Sequence, residues 1–329
     1  MKNLFCYLLL FFLLFTDNQY SQEKRNFKIH TIAFYNLENL FDTINDVNKN
    51  DEASPIMEMK FNRSNVYKKK ISNMAKVISQ IGYDYTKKSP SIVGICEVEN
   101  LNVVQDLISQ EELKNENYGI VHYDSPDNRG IDVGLIYKKN IFEVKSSSSH
   151  EVIITDNNSS NRRPTRDQLV VSGLIDGELI HLIVNHWPSR GADETKRIAA
   201  AKVNNKIIDS LRSIYKNPKI ITMGDFNDDP FDKSIKKILG AKKDRKDVGR
   251  KDMYNPFETI LVDQGIGTNA YRDKWQLFDQ IIISAGFLKK DYEDYQFFRA
   301  GVFNKSFLIN KKGKYKGYPF RSFSFGSFT

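Results

Sequence analysis

Apolar and polar positions along this chain follow two rhythms, one near two residues and one near three and a half. Residues 28–35 alternate and end apolar, which predicts a strand. Tyr67, Ile71, Met74, Ile78 and Ile81 recur at helical spacing, and Gly82 stops that helix. Residues 91–96 form a short apolar strand, and 98–108 can be helical. Further strands are predicted over 131–137, 168–175 and 179–184, the last two joined as a hairpin by the turn at Asp176. A long helix spans 192–211, with Ile198, Ala201, Ile207, Ile208 and Leu211 facing inward. Strands over 219–223 and 277–284 follow. Residues 146–149 and 155–160 read as exposed loops, and 233–251 as a solvated basic helix plus loop. No repeat and no Pro-rich linker interrupts the pattern, so 27–329 is expected to be one domain. Mixed strands and helices with hairpins predict an α/β sandwich, not a pure βαβ array.

The start of the chain has a different character. Lys2 precedes an apolar run over 4–15, too short to span a bilayer comfortably, and polar residues follow from Asp17. We expect a signal peptide over 1–21, ending at Ser21, and an exported mature chain; an uncleaved anchor is the alternative. Cys6 lies inside that segment, which leaves Cys96 alone and excludes an internal disulfide. The chain of 329 residues carries a net charge of +8. Such a balance suits polyanions such as nucleic acid, anionic membranes or phosphorylated small molecules, and equally a well-solvated lysine-rich surface. Basic and aromatic residues mix in "FRAGVFNKSF" and "KKGKYKGYPF", which reads either as a nucleic-acid surface or as a twisted hairpin with a solvated edge.

Polar residues recur where strands end. Asn36 and Glu38 follow the first strand, Glu97 and Glu99 the second, Asn185 and His186 the strand "HLIVN", and Asp225 and Asn227 the strand "IITMG"; Asp279 opens "DQIIIS". Each alone reads as a turn or helix-start residue. Repeated at one kind of position, they predict an oxygen-rich site with an imidazole beside it. Hard oxygen ligands suit Mg²⁺ or Mn²⁺, and the lack of Cys/His clusters argues against structural zinc. Asp225 and Asn227 lie two apart, so an extended backbone would point both the same way.

The set "FYNLENLFD", "GICEVEN", "RGIDVGLIYKK", "NHWPSR", "GDFNDDP" and "LFDQIIIS" resembles the endonuclease/exonuclease/phosphatase superfamily of DNase I-like proteins, its exported bacterial members most closely. The resemblance runs from Lys28 to the C-terminus. It implies a four-layered α/β sandwich with two central mixed sheets, and metal-dependent phosphoester hydrolysis by direct attack of water. It implies that Glu97 is the principal metal ligand and that Asn36 stands beside metal and phosphate. Asp225 would position the attacking water, Asn227 would hold a phosphate oxygen, and His186 would sit near the leaving group with Asp132 as a possible acidic partner. Arg166, helped by Arg163, would contact phosphate.

Asp279 is the departure from that pattern. In the family this aspartate orients a histidine of a Ser-Asp-His motif near the C-terminus, followed by an apolar strand. Here no histidine follows His186, and the chain ends "GYPFRSFSFGSFT". The resemblance therefore implies a sequence cut short before its last catalytic pair and last strand, with weak folding or weak turnover as the consequence. The leading expectation is a Mg²⁺-dependent nuclease acting as a monomer on DNA or RNA. The alternatives are a phosphatase or phosphodiesterase acting on inositol phosphates or sphingomyelin-type head groups, and a non-catalytic remnant that binds phosphorylated ligands.

Overall fold

The computed structural model describes residues 27–155, 162–289, 291, 293–324 and 327–328. The segment read as a signal peptide lies outside them. Among the described residues no helix is long and apolar enough to cross a membrane.

Two sheets pack face to face. The first contains β1 (Ile32–Leu40), β2 (Ile92–Val98), β3 (Tyr118–His122) and β4 (Asp132–Lys138) in the order β1-β2-β4-β3, which leaves β1 at an edge. Next come β5 (Phe142–His150) and a small pair, β6 (Ile154–Thr155) with β7 (Arg162–Arg163). The second sheet joins β5 to β8 (Gln168–Ile175), β9 (Glu178–His186), β10 (Lys219–Asp225), β11 (Ala241–Lys242), β12 (Met253–Tyr254) and β15 (Asp279–Ser284). Its order is β11-β12-β15-β10-β9-β8-β5. Two hairpins stand apart, β13 (Asn269–Tyr271) with β14 (Lys274–Gln276), and β16 (Phe323–Ser324) with β17 (Ser327–Phe328).

Helices cover the outer faces. On the first sheet lie α1 (Arg63–Gln80), followed in the chain by the short α2 (Tyr83–Thr86), and α3 (Leu101–Ile108); on the second lies α4 (Glu194–Ile214), followed in the chain by α5 (Pro256–Val262). Three buried clusters define the layers. Ile71, Met74 and Ile78 of α1 meet Ala33 and Val93. Ile92 and Leu135 meet Leu182 and Met223 between the sheets. Ala201 and Ile208 of α4 meet Ile183 and Ile220. This is the expected mixed α/β sandwich with two central sheets.

Several boundaries moved for identifiable reasons. Helix α3 starts at Leu101, not at 98, because the Asn100 side chain caps it by accepting from the N–H groups of Asn102 and Val103. The serine run 146–149, expected as a loop, is part of β5 at the sheet's edge, where a half-exposed strand tolerates polar side chains. Ile198 is only half-buried on α4, and Arg197 and Asn204 take inward positions instead. Residues 233–251 hold a short wide turn over Ser234–Ile238 with Ser234 and Ile235 buried, so the basic stretch is not wholly solvated. Part of the expected loop 155–160 lies outside the described residues.

Candidate active site

Strand pairing brings the polar tips together. Asp225 at the end of β10 is in register with His186 on parallel β9 and with Asp279 on antiparallel β15. The three therefore form one rung across neighbouring strands, and cross-strand partners at one register share a face of the sheet. The close pairing needs Gly224, since a Cβ there would fall 2.3 Å from the Asn185 carbonyl oxygen.

The first sheet reaches the same place by an irregular route. Cys96 pairs with Val133 and Val98 with Asp132, so against β4 Glu97 is an extra residue in a β-bulge; on the other side Asn36 pairs with Cys96 and Leu40 with Val98, so three residues of β1 stand against it. Its φ of 58° turns the side chain toward the inter-sheet side, where regular alternation would have sent it outward. Beside it, Glu38 and Asn39 also take positive φ, 46° and 55°. Left-handed backbone at three non-glycine residues is costly unless its surroundings enforce it. Buried Lys70 of α1 supplies that enforcement: its ammonium donates to the carbonyls of Glu38 and Asn39, the latter at 2.8 Å. The Asn39 N–H in turn donates to Glu97 Oε2 at 2.9 Å. Burial lowers Lys70 to about 8, opposed by Glu38 and Glu97.

The two sides meet through Asn36, whose Nδ2 donates to Glu97 Oε1 at 3.0 Å and to Asp225 Oδ2 at 3.1 Å. His186 Nε2 lies 3.7 Å from Glu97 Oε1. One ligand atom from each of Glu97, His186 and Asp225 lies within 4.8 Å of the others. Two carboxylates and a neutral imidazole fit a divalent cation. Burial, with Arg166 and Arg129 adding to it, holds His186 well below the usual imidazole range, and its Nδ1 has no hydrogen-bond partner. Burial and then the Glu97 charge raise Asp225 to about 6. Burial, then Asp225, push Asp279 well above the carboxylate range, and its Oδ1 has no partner either. Like-charged carboxylates in one rung cannot all ionise cheaply, so a cation there would remove a penalty already present.

Some expected residues have other partners. Asp132 does not pair with His186: its Oδ2 lies 3.0 Å from His122 Nε2, and its Oδ1 accepts from the Ser125 N–H at 2.7 Å. Because Asp132 opens β4 opposite Val98, the neighbouring strand β3 presents His122 to it first. Asn227 lies beyond β10 with φ 50°, not on extended backbone. Its N–H donates to Asp225 Oδ1 at 2.9 Å, and its Nδ2 donates to the Trp187 carbonyl at 2.9 Å. Arg166 is buried, not a surface charge; it donates to Asp127 at 3.2 Å and to the same Trp187 carbonyl at 2.7 Å. Arg163 is exposed on β7, and neither arginine lines the cleft. Asn185 is fully buried beneath the tip, donating to Thr222 Oγ1 and accepting from Trp187 Nε1 and Asn204 Nδ2.

That cleft measures about 1200 Å³ and is lined by Asn36, Glu97, Asp225, Asn227 and Asp279. Oxygen-rich strand ends at the mouth of a two-sheet sandwich suit phosphoester chemistry. The family model described as "Endonuclease/Exonuclease/phosphatase family" matches residues 31–329. The chain belongs to the endonuclease/exonuclease/phosphatase family. As a member it is a hydrolase of phosphoester bonds. No curated protein matches the chain. Among solved structures, a Bacteroides thetaiotaomicron mannosyl-6-phosphatase is similar at 18% identity, covering 78% of this chain and 85% of that one, with a TM-score of 0.50. An endonuclease/exonuclease/phosphatase family protein of the same organism is similar at 17% identity, covering 78% and 82%, also with a TM-score of 0.50. Both likenesses support the family's fold.

Sequence reasoning missed two contributors to this family member's site. Lys70 was signalled, since it falls three residues after Tyr67 and four before Met74 on the buried stripe of α1. Arg190 stands in the quoted "NHWPSR". Its Nε donates to the Asn227 carbonyl at 3.2 Å, and its Nη2 donates to Asp229 at 3.0 Å.

Proposed function

We propose that this chain is a divalent-cation-dependent phosphodiesterase that cleaves nucleic acid, with Mg²⁺ or Mn²⁺ as the cation. The observation that carries the reading is the rung His186–Asp225–Asp279 facing Asn36 and Glu97 across the seam between the sheets. Glu97, with Asn36 and His186 at hand, would hold the cation, and Asp225 would face it across the seam. When bound, it supplies Lewis-acid polarisation of the phosphoryl oxygen. Asp225, fixed by Asn36 Nδ2 and the Asn227 N–H, takes a proton from water; a value raised to about 6 suits a base working near neutral pH. Asn227 has a second amide hydrogen, beyond the one on Trp187, to donate to a non-bridging phosphate oxygen. Burial and then Asp225 push Asp279 up, so its carboxyl gives up a proton less readily than its neighbours in the rung. The net charge of +8 favours a polyanionic substrate, and the apolar run over 4–15 favours export.

Nicking of supercoiled plasmid with Mg²⁺ or Mn²⁺, against a chelator control, tests this beside sphingomyelin and inositol phosphates. Cation-dependent nicking is expected. Turnover of a lipid or inositol substrate without nicking would replace the nuclease reading, and no turnover of any of them would remove catalysis.

A further inference from the structure

The cleft does not end at the catalytic carboxylates. Its lining continues onto Trp275, Tyr318 and Arg321, so one groove joins Asp225 and Asp279 to the β13–β14 hairpin and the C-terminal segment around 310–321. The basic-aromatic stretch of the sequence therefore lies against this hairpin. Backbone bonds fold it into a narrow loop of its own, from the Asn310 N–H to the Tyr318 carbonyl and from the Phe320 N–H to the Leu308 carbonyl. Tyr318 fastens the two together: its hydroxyl donates to Asp273 Oδ1 and accepts from the Asp273 N–H at 2.8 Å. Arg321 adds a 3.2 Å bond to Asn269.

The result is a surface of partly exposed rings among cations. Trp275 is 40% exposed, Tyr271 56% and Tyr315 40%, with Arg272 over the Tyr271 ring at 5.2 Å and Lys314 over the Tyr315 ring at 5.7 Å. The Trp275 and Tyr318 rings are 6.1 Å apart and tilted by 48°, so they do not stack on one another. Within 269–276 and 310–321 the chain carries seven Lys or Arg residues and one carboxylate, Asp273, which Tyr318 holds. Partly exposed rings beside backbone-tracking cations suit unpaired nucleic acid, because every base has a stackable face and every linkage a charge. A lone sugar phosphate would use a ring but not a field of cations this broad. Paired bases would keep their faces stacked against one another.

We propose that this hairpin and loop form a platform for single-stranded nucleic acid, with a base on Trp275 and the neighbouring phosphodiester led along the groove to Asp225. The assignment deepens the nuclease reading and rests on it for the direction of the strand, but binding is measurable without turnover. Trp187 is 1% exposed, which leaves Trp275 as the one accessible indole in the described fold. The probe is an oligothymidylate of about a dozen nucleotides, titrated in chelator and followed by tryptophan emission and by anisotropy of an end label. We expect quenching of Trp275 emission and binding that weakens steeply with salt. Trp275→Ala should weaken binding roughly 5- to 100-fold and abolish the quench, as removal of one stacking partner does; Trp275→Phe should recover most of the affinity. Melting curves of both variants show whether the fold is kept. Unchanged affinity in folded Trp275→Ala, or equal binding of duplex with no quench, overturns the platform. So does preferential quenching by mannose 6-phosphate or by phosphatidylserine vesicles. A strand that binds and quenches but is never cut with Mg²⁺ or Mn²⁺ leaves the platform standing and defeats the nuclease reading. A strand cut with no response from Trp275 does the reverse.

Discussion

The two sheets supply the site by opposite means. On the second sheet, His186, Asp225 and Asp279 come from three regular strands in register, backed by the buried Asn185–Thr222–Asn204 network and a Trp187–Phe226 ring pair 4.6 Å apart. On the first, Asn36 and Glu97 are aimed by a bulge and three left-handed residues, held by one buried lysine. Regular pairing spreads the cost of placing a side chain over many hydrogen bonds. A bulge concentrates it in a few. The second sheet's contribution should therefore be robust in position and the first sheet's fragile, although both feed one site a few ångströms across.

The sharpest test separates the ion from the water. Glu97→Gln should lower cation affinity about 100-fold or more and turnover with it, read by Mn²⁺ titration and by plasmid nicking. Asp225→Asn should keep affinity within about tenfold while turnover falls roughly 10²- to 10⁴-fold. Equal loss of affinity in both would erase the division of labour between the sheets. Next in size is Lys70→Met, which leaves the Glu38 and Asn39 carbonyls without their donor. We expect a loss of about 10- to 100-fold in cation affinity, partly recovered by Lys70→Arg, and destabilisation of about 1–3 kcal/mol in denaturant melts.

The pH dependence is smaller over the accessible range. Burial and the Glu97 charge raise Asp225 to about 6, so below that value the base is increasingly protonated. Turnover should fall toward about tenfold per unit as pH drops below 6, and this group should contribute no slope above 7. Asn185→Ser should have the least effect on the cation, within about threefold, while costing about 1–3 kcal/mol of stability through the unsatisfied Trp187 Nε1. A larger effect on the ion than on melting would show that the second sheet is the delicate side after all.

These contrasts track what the sequence made legible. Alternation disclosed β8 at its observed bounds and most of β9, β10 and β15, because a strand buried on both faces or packed in register announces itself in composition. The residues at those strand ends were readable for the same reason. The bulge was not. Glu97 could be named as a strand-end carboxylate, but only its register against β4 shows that it is an extra residue turned inward. Asn185, next to His186, looked like a tip residue; alternation along β9 instead drives it into the opposite layer toward α4. Asp132 was assigned to the wrong histidine because sequence spacing does not reveal that β3 lies beside β4. Lys70 hid in plain view, since a lysine on an apolar stripe reads as a long side chain reaching for solvent.

Glu97 belongs to one sheet and Asp225 to the other, and the 3.0 and 3.1 Å bonds from Asn36 span the gap between them. Ion affinity is thus a gauge of how the two halves of the sandwich sit. Met223→Leu, a volume-conserving swap in the layer between them, would shift that reading at little cost in the melting curve. A titration with a paramagnetic cation could serve as a ruler for the interior of the molecule, sensitive to displacements that unfolding assays average away.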